Sequence, residues 1–278
     1  MIQKALTLPA DGLILDLEDA VAAEKKEEAR AAVTEWLKRF DFGGRERWVR
    51  INPLDSGLGE ADLQVTIVGR PDGYVIPKPR AASDIQAVAR ALDRLERAYG
   101  ISDGGIKLLA IATETPQGLL NIAEVARSSP RLVAISWGME DLSAAMGISR
   151  TRDSAGNLLD LFRYARLMTV LAAAAAEIDA IDTVFTDIHN LDGLRKESIE
   201  AYEIGYTGKL SIHPAQIDPI NQAFTPGADQ VREAQALISA FEASRTKGEG
   251  AFNFKGQMVD APHLARARRL LDRARLGG

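Results

Sequence analysis

Carboxylates dominate the side chains that could do chemistry in this chain, and they recur at the ends of short apolar runs. The run from Leu13 ends in Asp16, Glu18 and Asp19, and that from Trp48 in Arg50 and Asn52. The run from Tyr74 meets Lys78 between two prolines, and that from Ile106 ends at Glu114. The run from Leu132 leads to Gly138, Met139, Glu140 and Asp141, that from Ile181 to Asp187, and that from Lys209 to His213. Charge beside an apolar core is costly without a partner or a purpose. The chain has no cysteine and only three histidines, His189, His213 and His263. Disulfides, thiolate metal sites, iron–sulfur clusters and a cysteine nucleophile are therefore excluded. An oxygen-rich donor set favours a hard cation, Mg²⁺ or Mn²⁺, with water completing its shell. Such an ion polarises a carbonyl and stabilises an enolate, and Arg50 adds a rigid fork suited to a carboxylate or a keto-acid oxygen. The combination points to carbon–carbon chemistry next to a carbonyl.

Each residue also has a plainer reading. Asp19 and Asp141 are good helix N-caps. Lys78 could form a Schiff base, but that needs a depressed pKa, and carboxylate-rich surroundings raise it instead. No GxGxxG, GxxxxGK[ST] or GxSxG element follows any of the runs.

Helical spacing separates the runs. Residues 22–40, 83–99, 159–178, 191–204, 227–245 and 262–276 carry apolar residues at three- and four-residue intervals. Ser83 is a candidate N-cap and Gly205 a candidate C-cap. Strand–helix alternation over 278 residues, 46% of them hydrophobic, predicts an α/β fold, most simply a TIM-type (β/α)8 barrel. Only seven strand-like runs are present, and the opening IQKALTLPADG reads as a helix end and a turn. The expectation is that the first barrel strand is missing before Met1. The barrel is expected to occupy residues 1–245, and residues 246–278 a lid loop with an appended helix. The net charge of −5 argues against nucleic acid as a partner. No apolar run reaches about 18 residues and the N-terminus lacks a signal-peptide core, so no membrane association and a cytoplasmic location are expected.

The motifs LDLEDAV (15–21), VRIN (49–52), IPKPR (76–80), ATETPQG (112–118) and WGMEDLSAAMG (137–147) occur in order along the chain. DTVFTDIHNLDGL (182–194), GKLSIHPAQI (208–217) and GQMVDAP (256–262) follow. With these eight motifs the chain resembles the citrate lyase β-subunit-like acyl-CoA lyases of the HpcH/HpaI aldolase superfamily, a group that includes malyl-CoA and citramalyl-CoA lyases. The resemblance implies a TIM-type barrel and Mg²⁺-dependent cleavage of a 3-hydroxyacyl-CoA thioester to acetyl-CoA and a 2-keto acid. It implies Glu114 and Asp141 as metal ligands, and Arg50 as the residue that holds the keto acid and polarises its carbonyl. Backbone N–H groups around Gly138, Met139 and Glu140 would bind the keto-acid carboxylate, with Lys78 as a further substrate contact. Glu18 and Asp19 would partner metal-bound water. Asp260, on a lid reaching over a neighbouring subunit, would exchange a proton with the enolate carbon; as a plain sequence feature it is also an N-cap for the last helix. Lys25 and Lys26 are candidates for contacts with the phosphates of CoA, and His213 is expected to be structural. The resemblance implies a homotrimer or a hexamer built as a dimer of trimers. Members of this group normally begin with a strand of the form Arg-Ser-x-Leu-Phe-Val-Pro-Gly, which is absent here, in keeping with the strand count. A late start assignment or a shortened chain would account for it. Two other functions stay open at this stage: a malyl-CoA-type thioesterase on the same scaffold, and a citryl-acyl-carrier lyase subunit of a citrate lyase complex.

Overall fold

The computed structural model describes residues 2–245 and 251–276. The chain divides into two compact units, Met1–Ile217 and Asp218–Gly278.

The first unit is built on seven parallel strands: β1 (Gly12–Asp16), β2 (Glu46–Arg50), β3 (Gly73–Ile76), β4 (Lys107–Ile111), β5 (Leu132–Ser136), β6 (Asp179–Asp182) and β7 (Gly208–Lys209). They pair in sequential order from β1 to β7. Parallel strands bury both faces, which is why these runs are apolar almost throughout; all four residues of β3 are buried. Trp48, Val75, Leu109, Ile111 and Ala134 form one buried cluster on a shared face of the sheet.

The helices of this unit are α1 (Ile2–Ala5), α2 (Lys26–Arg39), α3 (Gly59–Thr66), α4 (Ala82–Tyr99), α5 (Pro116–Leu120), α6 (Ile122–Ala126), α7 (Met139–Ala145), α8 (Asp160–Ala176) and α9 (Leu191–Ile204). The expected alternation is therefore observed, and α1 is the helix end foreseen before β1. Gly205, at φ 111°, closes α9 by donating to the carbonyls of Ala201 and Tyr202. Ser83 is not the N-cap of α4. Asp84, at the third helical position, accepts from the N–H groups of Arg80 (2.7 Å) and Ala81 (3.1 Å). A carboxylate at that position satisfies the free donors of the first turn better than a hydroxyl facing solvent. The sixth and seventh strands end earlier than their apolar runs. Past Asp182 and Lys209 the chain turns away, and Asp187 and His213 lie in the following loops. No helix among the described residues is long and apolar enough to cross a membrane.

The second unit contains α10 (Ile217–Phe224, from its second residue), α11 (Ala228–Arg245) and a hairpin of β8 (Phe252–Phe254) and β9 (Gln257–Val259). It ends in α12 (Ala261–Leu276). The boundary expected at 245/246 thus differs from the division between the compact units, because α11 packs along α12 and against β8. Residues 252–259, expected as loop, form an antiparallel hairpin. Lys255 and Gly256 both have positive φ (49° and 85°), the backbone that a two-residue hairpin turn demands. The Phe252 ring stacks edge-on against Phe241 and Phe254.

Candidate active site

Ionic groups collect at the carboxyl ends of β1 to β5. Asp16 and Arg50 are register partners in neighbouring strands. Arg50 donates from Nε to Asp16 Oδ1 (2.7 Å) and from Nη2 to Asp16 Oδ2 (2.6 Å). Its third nitrogen, Nη1, lies 3.1 Å from Glu18 Oε2. Burial works against the charge on both partners, yet the fork outweighs it: Asp16 stays below its ordinary pKa and Arg50 above its own. Arg50 is thereby a fixed, permanently charged group.

Lys78 sits at the centre of the remaining carboxylates. Its ammonium lies 2.5 Å from Glu18 Oε1, 3.2 Å from Asp19 Oδ2 and 3.3 Å from Asp141 Oδ1. Burial alone would lower its pKa, but the hydrogen bond it donates to Glu18 and the charges of Glu18 and Asp141 raise it instead. An ammonium held among carboxylates is a poor nucleophile, which argues against the Schiff-base reading. The backbone of Lys78 adopts φ 52°, and its N–H donates to Glu114 Oε2 at 2.7 Å.

Glu114 follows β4 and is 4% exposed. Burial, then the charge of Asp141, pushes its pKa up to about 8, against the lowering effect of the Lys78 N–H. Gly138, one residue past Trp137, makes this arrangement possible: a Cβ there would lie 2.3 Å from Glu114 Cγ. The Gly138 N–H donates to the buried Thr113 Oγ1 (3.2 Å). Gly118 serves a similar purpose, since a Cβ would meet the Pro79 and Ala112 carbonyl oxygens at 2.4 and 2.5 Å. Together the two glycines let the IPKPR loop, Glu114 and the start of α7 crowd into one corner.

The donor set fits a divalent cation. Asp141, in the first turn of α7, disfavours the charge on Glu114 past the end of β4, and Glu114 is shut away from water, which is the electrostatic situation that a doubly charged ion reverses. No group of three or more His, Cys, Asp or Glu side chains converges as a cage among the described residues. A protein share of two carboxylates is what Mg²⁺ usually takes, the rest being water and substrate oxygens.

The other expected residues are placed as follows. Met139 and Glu140 form the first turn of α7, after Gly138 at its N-cap position. Lys25 is exposed and pairs with Glu28 at 2.8 Å. Lys26 donates to the carbonyls of Leu17 and Glu18, both at 2.7 Å, and so holds the loop after β1. His213 Nδ1 accepts from the Ala215 N–H, a structural turn. Asp260 belongs to the second unit, where its carboxylate lies 2.6 Å from His263 Nδ1 and its carbonyl accepts from His263 and Leu264.

Sequence reasoning missed two groups. Asp16 was legible as a strand-end acid, but only the β1–β2 register shows it gripping Arg50. The second group is a buried network behind the β5 end of the site. Asp182 accepts from Trp137 Nε1 (2.7 Å), from Arg166 Nη2 (3.1 Å) and from Lys209 Nζ (2.7 Å). Glu197 completes it, 3.0 Å from Lys209. Four ionisable residues in apolar surroundings, at 182, 209, 166 and 197, were the available signal.

With this geometry in hand the comparisons are direct. Residues 1–214 match the model of the HpcH/HpaI aldolase/citrate lyase family. The chain is 35% identical over 278 residues to citrate lyase subunit beta of Escherichia coli K12, covering 100% of this chain and 90% of that one. It is 36% identical over 285 residues to the mitochondrial citramalyl-CoA lyase of Rattus norvegicus, covering 97% and 81%. Among solved structures it superposes on the CitE protein of Mycobacterium tuberculosis in complex with magnesium, acetoacetate and coenzyme A. There the TM-score is 0.78 and the identity 31%, over 98% of this chain and 91% of that one. The fold and site define an α/β enzyme of the carbon–carbon lyase class. The chain belongs to the HpcH/HpaI aldolase/citrate lyase family.

Proposed function

We propose that this protein is a Mg²⁺-dependent acyl-CoA lyase. It would split a 3-hydroxyacyl-CoA of the citramalyl, malyl or citryl type into acetyl-CoA and a 2-keto acid, or run the reverse condensation. The observation that carries the reading is Glu114, past the end of β4, under the charge of Asp141 in the first turn of α7, with Arg50 fixed nearby by Asp16. The Mycobacterium relative solved with magnesium, acetoacetate and coenzyme A supports it.

In this reading Glu114 and Asp141 hold the ion. When bound, the ion supplies Lewis-acid polarisation of the keto-acid oxygens and offsets the negative charge that develops as the carbon–carbon bond breaks. Arg50 donates to the oxygen that becomes the keto-acid carbonyl, and its orientation is set before substrate arrives. The N–H groups at the start of α7, at Met139 and Glu140 beside Gly138, orient the keto-acid carboxylate. Glu18 and Asp19 would accept hydrogen bonds from water when the ion is bound, and Lys78 would contact the anionic substrate. The substrate hydroxyl gives its proton to Glu18 or Asp19, directly or through water, as that oxygen becomes the keto-acid carbonyl; bond cleavage leaves the electron pair on the thioester enolate, and Asp260 delivers a proton to that carbon. We place Asp260 on a lid over the site of a neighbouring subunit in a trimer or a dimer of trimers; of the expected lid segment 246–278, residues 246–250 and 277–278 lie outside the described residues. The lid excludes water while the enolate exists.

The experiment supplies (S)-citramalyl-CoA, malyl-CoA and citryl-CoA with Mg²⁺, and follows keto acid, acetyl-CoA and free CoA with and without EDTA. Keto-acid release with acetyl-CoA, abolished by EDTA, is expected from at least one substrate. Free CoA without acetyl-CoA would mean a thioesterase instead. Turnover indifferent to the chelator would defeat the metal-dependent reading.

A further inference from the structure

We infer that Lys78 is a tethered cation that competes with the divalent ion for Asp141 and thereby sets the affinity of the metal site. This rests on the reading of Glu114 and Asp141 as the ion's ligands.

Lys78 is bound to both candidate ligands, by different parts of itself. Its N–H holds Glu114 Oε2 at 2.7 Å, and its ammonium lies 3.3 Å from Asp141 Oδ1. It makes both contacts at φ 52°, a left-handed backbone that a residue with a Cβ adopts only at a cost. The following Pro79 narrows the choices further, since a residue before proline is sterically restricted. Glycine would relieve the strain but could not supply an ammonium. The position therefore combines the backbone usually given to glycine with a long, flexible cation.

The charge balance explains why a cation belongs there. Glu18, Asp19 and Asp141 gather around the Lys78 ammonium, and among the described residues the other cation of the site, Arg50, has its fork committed to Asp16. The Lys78 ammonium is the mobile part of that balance. A divalent ion that takes the Asp141 oxygen must displace it. Glu18 at 2.5 Å and Asp19 at 3.2 Å are already in place to keep it. Glu18 is buried and Asp19 is more than half exposed, so the pair can retain the ammonium while Asp141 is given up. Removing the ammonium leaves the backbone grip on Glu114, deletes the competitor and makes the site more negative.

The test is Mn²⁺ binding, followed by calorimetry and by the loss of the free-ion electron paramagnetic resonance signal, without substrate. Wild type, K78M, K78Q, K78R and D141N are compared, each checked for native circular dichroism. K78M and K78Q are expected to bind Mn²⁺ about tenfold more tightly than wild type, as loss of one nearby positive charge implies. K78R, which keeps the charge, stays close to wild type, and D141N loses the site. If K78M and K78Q bind equally or more weakly while D141N abolishes binding, the competition is overturned and the ligand assignment stands. If D141N binds Mn²⁺ as well as wild type does, the ligand assignment itself fails, and the competition with it. K78Q, nearly isosteric with the stem of the lysine, keeps the question open to test should K78M not fold.

Discussion

Asp16 and Arg50 stand opposite each other in the β1–β2 register and close a two-pronged ion pair at 2.7 and 2.6 Å. The pair leaves Arg50 Nη1, beside Glu18, turned toward the remaining carboxylates. R50K keeps the charge but loses the planar fork. Its kcat is expected to fall about a hundredfold or more, the range seen when one donor to a developing oxyanion is removed. D16N should give a smaller loss of the same kind, in kcat rather than in Mn²⁺ affinity. Equal activity of D16N and wild type would show that the fork does not orient Arg50 for catalysis.

Glu114 predicts a pH dependence. Its pKa is raised from 4.5 to about 8 in the fold. The protonated side chain therefore contributes stability that is fully present below about 4.5 and is lost as pH rises through about 8. Thermal unfolding without divalent ions, between pH 5 and pH 9, should show wild type losing stability over that window relative to E114Q. Ion binding needs the carboxylate, so at pH 7 Mn²⁺ should expel close to one proton from wild type. Calorimetry in buffers of different ionisation enthalpy measures that number; proton-free binding would contradict the assignment.

Gly138 predicts a steric effect. A Cβ there would stand 2.3 Å from Glu114 Cγ, so G138A has to move the carboxylate. Mn²⁺ affinity should drop by about tenfold or more with the fold retained, since a displacement near 1 Å at a positioned group is costly. Unchanged affinity would show that Glu114 is not a ligand.

Asp260 separates a chemical role from a capping one. D260N keeps an N-cap side chain, whereas D260A loses it at about 1 kcal/mol of stability. A proton donor predicts that both variants lose about a hundredfold or more in kcat while Mn²⁺ binding persists. Retained activity in D260N with reduced stability only in D260A would leave Asp260 as a cap. Mixing R50A and D260A subunits should restore part of the activity if the lid works across subunits.

The network behind β5 predicts a fold-wide effect. Asp182 is completely buried, and although burial opposes its charge, Lys209 and Arg166 hold its pKa below the ordinary value. D182N takes the shared anion from both cations and leaves Lys209 only Glu197 and Arg166 only Glu200 as charged partners, which should cost about 3 kcal/mol. W137F removes one donor to Asp182, 2.7 Å away, and should cost less while loosening the start of α7. Urea unfolding of both variants checks the order.

Arg50, Glu114 and Asp141 were legible because each closes or follows an apolar run, and in parallel α/β proteins those ends share one face. Asp182 was not, because it sits inside the run from Ile181 and Asp187 looked like its polar end. The strand stops at Asp182, and Asp187 is exposed. The hairpin at 252–259 was hidden by its brevity: its two strands are three residues each, too few for alternation to declare itself. Lys26 read as an exposed base for phosphates, and only folding brings the Leu17 and Glu18 carbonyls to it.

Elements, their order and the oxygen-rich character of the site follow from local pattern and composition, because periodicity and residue chemistry are properties of short stretches of chain. Which charge meets which is decided elsewhere. Lys78 reaches Glu18 across 60 residues and Glu114 across 36, and Arg50 reaches Asp16 across 34. Coulomb attraction and desolvation depend on separation and burial in space. Strand register and the tight packing at Gly138 set both quantities. The sequence alone therefore names the acids of this site, and the tertiary structure makes one of them a clamp for Arg50 and another a buried carboxyl poised near pH 8.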